Sequence, residues 1–302
     1  MVSPSPRLAA ARVDTAPLAF LALVGGALAM GISPIFVRFA EVGPFASASW
    51  RAALALPALW LWSEWEGRAA ARPEPDTGAR IAVVLAGILF AGDLTFWHLA
   101  IMNTSVANAT FLATLAPVWV VLGSGFVLGE RVAWQVFAGL ALCLIGAAAL
   151  IGNTWSVEPG HLDGDIYGVG TSVFFGAYFL AVRRARRVYG AGRTLFLSSL
   201  VTAAVLLVEA VIMEDQMWPL TLSGVAALFA MALVSHAGGQ GLLAFALGHL
   251  RAAFSSLVIF LEAVAAACFG WIILGEAIGP IQAIGAVAIF VGISVARPRR
   301  TA

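Results

Sequence analysis

Ten apolar runs fill most of the chain, at 17–37, 44–64, 81–101, 104–127, 133–152, 165–183, 194–213, 221–247, 251–274 and 278–296. Each is close to the roughly 20 residues that a helix needs to cross the hydrocarbon core of a bilayer. Together they leave no room for a soluble domain. The longest polar breaks are 66–80, with Pro73, Pro75 and mixed charge, and 153–165, which divides the chain into halves. The first run follows Arg7 and Arg12 and superficially resembles a signal peptide. It continues through Phe36 without a small-residue cleavage site, so it reads as a span. The pattern predicts an all-α integral membrane protein.

The halves are related. Residues 103–150 align with 249–296 without a gap, at a constant offset of 146. Leu128-Gly129-Glu130 falls on Leu274-Gly275-Glu276, Gly139 on Gly285, and Gly146 on Gly292. Ala107, Leu115 and Val118 also meet their own kind at Ala253, Leu261 and Val264. In-phase glycines on either side of a shared turn indicate an internal duplication.

Arginine placement sets the orientation, because cytoplasmic loops collect positive charge. With the N-terminus inside, the cytoplasmic segments hold Arg68, Arg72, Arg80, Arg131, Arg183, Arg184, Arg186, Arg187, Arg193, Arg251 and both arginine-bearing tails. The other side keeps only Arg38 and Arg51, with the acids Glu158, Asp163, Asp165, Glu214 and Asp215. Five spans per half is odd, so the second half enters the bilayer upside down. The predicted organisation is therefore a cytoplasmic tail at 1–16, a five-helix repeat at 17–152, an inverted five-helix repeat at 165–296, and a cytoplasmic tail at 297–302. This gives ten transmembrane helices in two inverted-topology repeats, with both termini cytoplasmic, and inverted-topology repeats are the usual architecture of secondary transporters. Their binding site lies between the repeats near the midplane.

Composition changes this picture little. Of 302 residues, 61% are hydrophobic and 11% charged, far from the roughly 25% charged of a soluble domain. All 17 basic residues are arginine, and a net charge of +1 points to no nucleic acid. Cys143 and Cys268 both lie inside apolar runs, so neither a disulfide nor a metal site is expected. Tryptophans mark the interfaces: Trp60, Trp62, Trp65 and Trp134 inside, Trp155, Trp218 and Trp271 outside. Trp50, Trp97 and Trp119 fall deeper, as packing residues or as platforms for a substrate.

Several spans contain breakers. Small residues let helices approach closely in lipid, which accounts for Gly25, Gly26, Gly139, Gly146, Gly285 and Gly292. Proline frees a carbonyl that only protein or water can satisfy. Pro34, Pro117 and the cluster Gly238, Gly239 and Gly241 are thus candidates for hinges or cavity walls.

Charge at the bilayer centre costs roughly 2.5–3.5 kcal/mol on insertion scales, so an acid there faces a partner or a water-filled cavity. Glu262, mid-way along the ninth run, is the foremost candidate for a substrate or proton site, and Asp93 in the third is next. His236 and Gln240 are four apart and share a helix face, as Tyr178 does with Phe175 and Thr171. His98 lies five residues from Asp93, about 140° round the helix, so the two form no local pair. Each polar group also suits an interhelical hydrogen bond. Glu209 lies near a span end, and Arg51 either reaches up to the interface or holds an anionic group.

No His-Glu-x-x-His, Gly-x-Ser-x-Gly or Walker-type motif occurs, so an enzyme, a cofactor or a nucleotide-driven pump is not expected.

The residues resemble a known family. Gly31, Pro34, Arg38, Pro44 and Arg51 are spaced like the opening helices of the EamA-type transporters of the drug/metabolite transporter superfamily. The block from Leu99-Ala100 through Asn103-Thr104-Ser105-Val106-Ala107-Asn108-Ala109, Pro117 and Leu128-Gly129-Glu130-Arg131 resembles that family's most recognisable stretch. Leu274-Gly275-Glu276 resembles its second copy. One departure stands out: Ala263, preceded by Glu262, occupies the place opposite Pro117, which argues against a symmetric pair of hinges. The resemblance implies alternating-access movement of small metabolites, often outward, across the bacterial inner membrane. It is closest to the amino acid exporters, including aromatic amino acid exporters of the YddG type. Membership implies a central cavity, for which Trp97, His98, Trp119, Tyr178, His236, Gln240 and Glu262 are the expected lining. Export of drugs or lipophilic cations is the alternative, ahead of a sugar or nucleoside facilitator or a membrane scaffold. Membrane lipid and a small-molecule substrate are the expected partners, and a monomer is compatible with both.

Overall fold

A computed structural model describes residues 15–69, 74–104, 106–151, 162–275 and 277–298. The tails at 1–14 and 299–302, Arg72, Ser105, Trp155, Glu158 and Glu276 lie outside the described residues. No strand occurs among those described.

The helices are α1 (Ala16–Phe39), α2 (two pieces, Pro44–Ala53 and Leu56–Ala69), α3 (Thr77–Asn103), α4 (Asn108–Leu128), α5 (Trp134–Ile151), α6 (Leu162–Ala185), α7 (Ala191–Met213), α8 (Leu222–Leu247), α9 (Ala252–Leu274) and α10 (Pro280–Ala296). Eight of them are long and apolar enough to cross a membrane; α10 is shorter and α2 is interrupted. Exposed apolar side chains such as Leu21, Phe126, Ile145 and Ile212 give the outer surface the character of a lipid-facing one.

Four helices are interrupted within their length. α1 breaks at Ile32, α2 at 54–55, α4 at 114–115 and α9 at Ile259. Pro34, Pro57 and Pro117 each occupy the second position of the restarted segment. There the missing N–H is one that has no intrahelical partner anyway. In α9 there is no proline, yet the helix still restarts at Phe260 through a tight turn in which the Glu262 N–H donates to the Ile259 carbonyl at 2.8 Å. The expectation drawn from Ala263 is thus corrected: the second copy breaks close to the position of the first, by a turn rather than by proline.

Helix starts are capped from far away in sequence. Glu214 accepts from the Phe45 and Ala46 N–H groups at 2.6 and 3.0 Å, and Glu66 from those of Ala191 and Gly192 at 3.1 and 3.0 Å. Glu130 accepts from the Ala252 N–H at 2.9 Å and from Arg183 Nε at 2.8 Å. A carboxylate at a helix N-terminus satisfies orphan donors and complements the helix dipole. Both copies of the Leu-Gly turn end their helix with glycine in the left-handed region, Gly129 at φ 67° and Gly275 at φ 72°. Any other residue is strained there.

α5 and α10 cross antiparallel with their glycines against each other. A Cβ on Gly146 or Gly285 would lie 2.6 Å from the other's carbonyl oxygen, and Gly139 and Gly292 meet the same way. Between these contacts Cys143 Sγ lies 3.7 Å from the Ile289 carbonyl.

Candidate functional site

The broken helices surround a cavity of about 200 Å³. Gly31, Ser33 and Pro34 border it at the break in α1, Thr114, Ala116 and Pro117 at the break in α4, and Ile259 and Phe260 at the break in α9. Interrupted backbone at this depth is stable only where protein or water satisfies the freed groups.

The breaks also place the charges. Arg51 occupies the last turn of the first piece of α2, and Glu262 the first turn of the restarted part of α9. A cation at a helix C-terminus and an anion at an N-terminus are each favoured by the local dipole. Asp93 comes from the uninterrupted α3 and is 8% exposed. All three line the cavity. Arg51 lies within electrostatic reach of both acids. No ion pair or hydrogen bond joins it to either among the described residues. Its one hydrogen bond is long, Nη1 to Ser33 Oγ at 3.5 Å, and its Nε is buried without a partner. The guanidinium carbon lies 5.7 Å from the Phe90 ring centroid, within cation–π range. Thr171 Oγ1, also on the cavity wall, is buried without a partner.

Of the residues singled out from sequence, Asp93, Trp97, Gln240, Glu262, Pro34 and Pro117 border the cavity. Four others do not. Tyr178 lies behind the wall, where its hydroxyl donates to Gln240 Oε1 at 3.1 Å and its ring stacks on Phe175. His236 Nε2 is 2.7 Å from Ser199 Oγ, with its ring against Phe90. His98 is 3% exposed and wedged between Phe45 and Trp97. Trp119 is turned away, donating from Nε1 to Ser172 Oγ at 2.9 Å. Gly238, Gly239 and Gly241 are also off the wall. They belong to a wider-wound stretch, Met231–Gln240, and the turn after it. A Cβ on Gly239 would strike Met30, and one on Gly241 the Trp62 ring, so these two serve close packing. Glu209, near the end of α7, accepts from Thr95 Oγ1 at 2.6 Å.

Arg51, read from the sequence as either reaching the interface or holding an anionic group, lies on the wall, as do Phe175 and Thr171 from the face of Tyr178; Phe90, Thr110 and Thr114 were not singled out. Arg51 had a signal, as one of two arginines on the acidic side of the chain. Phe90, Thr110 and Thr114 had none, because such residues are ordinary in any membrane helix.

Broken helices around a cavity lined by charged and aromatic residues suit a multi-pass membrane transporter. Two segments, 17–152 and 162–297, match the EamA-like transporter family, and the chain belongs to that family. It is 25% identical over 223 residues to the pseudopaline exporter CntI of two Pseudomonas aeruginosa strains, covering 72% of this chain and 75% of the relative. One crystal structure superposes with a TM-score of 0.78 at 21% identity, over 93% of this chain and 96% of the other, and so shares the fold.

Proposed function

We propose that the protein is a secondary transporter that exports amino acids of broad range, aromatic ones included, across the bacterial inner membrane by alternating access. The cavity carries this reading. Aromatic faces from Phe90, Trp97 and Phe175 suit an apolar side chain, while Arg51, Asp93 and Glu262 offer both signs of charge to a zwitterionic head. A relative named as an exporter supports outward movement.

Two inverted repeats within ten spans underlie the proposed mechanism, and three sets of contacts support them. Gly139 meets Gly292 while Gly146 meets Gly285, each pair exchanged by the offset of 146. Cys143 meets Ile289, its own equivalent under that offset, as a residue on a pseudo-twofold axis does. Glu214 caps 45 and 46 as Glu66 caps 191 and 192, and the capped amides again differ by 146. With the N-terminus inside, the lining residues Pro34, Arg51, Asp93, Trp97, Thr110 and Thr114 all fall in the outer half of their spans. Beneath them, Glu130 ties α6 and α9 to the inner end of α4. In the proposed cycle this arrangement serves as the outward-facing state, and breaking the Glu130 contacts opens the inner side.

The test is uptake of labelled phenylalanine and threonine into liposomes carrying the purified protein, beside empty liposomes. Saturable uptake, competed by other amino acids, is expected. A second reading, export of lipophilic cations, is favoured by the ratio of two acids to one arginine in the cavity. Saturable uptake of a quaternary amine without amino acid uptake would establish it instead.

A further inference from the structure

Resting on that reading, a finer assignment follows from the way the cavity's charges are held. Opposite charges sharing a low-dielectric space normally close into a hydrogen-bonded pair, because unpaired charge there is costly. Here they do not. Arg51 has one long hydrogen bond and a bare Nε, and neither Asp93 nor Glu262 has a side-chain hydrogen bond among the described residues. Their helices keep them apart. Arg51 ends a helix piece, Glu262 begins one on α9, and Asp93 projects from unbroken α3. Tyr178, by donating to Gln240 Oε1, fixes that amide, whose NH2 has no acceptor among the described residues. Thr171 Oγ1 adds another unused polar atom. The cavity wall thus carries an unpaired planar donor fork, two unpaired carboxyl groups and aromatic rings.

We propose that this arrangement is a clamp for a zwitterion, in which Arg51 receives the substrate's carboxylate and Asp93 and Glu262 receive its ammonium. A guanidinium suits a carboxylate because its fork presents two parallel N–H donors. The clamp works as much by rejection as by attraction. An amine without a carboxylate leaves Arg51 bare and is repelled by it. A carboxylate without an amine meets two acids. Only a molecule carrying both groups a few bonds apart pairs every charge. The apolar rings of Phe90, Trp97 and Phe175 accept the remainder without reading its shape closely, which gives broad range in the side chain and strictness in the head group.

The experiment is inhibition of labelled phenylalanine uptake in proteoliposomes by unlabelled phenylalanine, phenylalaninamide and 3-phenylpropionate. The last two lack the free carboxylate and the ammonium, respectively. In the wild type only phenylalanine competes strongly. Arg51→Gln is expected to raise the KM for phenylalanine about a hundredfold and to abolish the preference over phenylalaninamide. Glu262→Gln and Asp93→Asn together are expected to abolish the preference over 3-phenylpropionate instead. Arg51→Lys keeps the charge without the fork and is expected to fall between, which decides the matter should Arg51→Gln fail to fold. Arg51 variants that keep the wild-type KM and ranking overturn the clamp while leaving amino acid transport standing. Equal competition by all three compounds in the wild type also overturns it. Absence of phenylalanine uptake by folded wild-type protein overturns both the clamp and the amino acid reading.

Discussion

Asp93, Glu262 and Arg51 come from three different helices, and none has a sequence neighbour that explains it. What they share is a cavity. The residues behind the wall matter for the same reason. Tyr178 never reaches the cavity, but its hydroxyl sets the orientation of Gln240, which does. Tyr178→Phe removes one neutral hydrogen bond, worth about 1 kcal/mol, and leaves the ring packing intact. The expected result is a several-fold rise in KM in the liposome assay with a fall of only a few degrees in melting temperature in detergent. His236→Gln tests the opposite case. Its ring is tied to Ser199 and packed on Phe90, so substitution is expected to lower thermal stability more than substrate affinity.

Among the elements, the turn after α4 is where a short motif becomes structure. Gly129 closes the helix in the left-handed region, and its N–H donates to the Gly125 carbonyl at 3.2 Å. Glu130 then leaves the turn to cap α9 and pair with Arg183. Gly129→Ala is expected to cost about 1–2 kcal/mol, because an L-residue is strained at that φ. Gly125→Ala is the control. Its Cβ would meet nothing closer than 4.0 Å, and alanine is the better helix former by about 1 kcal/mol. Unfolding monitored by circular dichroism in detergent is expected to rank Gly125→Ala, wild type and Gly129→Ala in falling order of stability. The broken helices carry a second lesson. Three breaks have proline two residues into the restart, and the fourth, at Ile259, has none. Proline makes a restart cheap, but contacts around the break are what maintain it.

In the molecule as a whole, the α5–α10 crossing and the remote caps bind the two halves to each other. Gly285→Leu would drive a side chain into the Gly146 carbonyl and the Leu150 backbone, where nothing flexible can yield. Overpacking of that kind costs about 1–3 kcal/mol or more, and loss of monodisperse protein in size-exclusion chromatography is expected. In the proposed mechanism the contacts of Glu130 with Arg183 and Ala252 close the inner side. Glu130→Ala is expected to raise the labelling rate of a cysteine placed at Thr114, on the cavity wall, by a thiol reagent added from the cytoplasmic side. An unchanged rate would remove Glu130 from the gate.

Much of this was legible in the chain itself. Apolar runs of membrane length, separated by short polar breaks, follow from the cost of unsatisfied backbone in lipid, so hydrophobicity alone marks the helices. The duplication, the two Leu-Gly turns and the mid-span acids Asp93 and Glu262 are local facts that survive into the structure unchanged. Assignment of side chains to the cavity was not local. Trp119 and His98 have the depth and chemistry of wall residues, yet one turns to Ser172 and the other wedges beside Phe45. A helix face is fixed by a few degrees of rotation, and each break at Ile32, 54–55, 114–115 or Ile259 resets it. The convergence of Arg51 with the two acids, and their separation from one another, was decided only by packing. Membrane depth is written along the sequence, but the distance between three helices is set by every side chain lying between them.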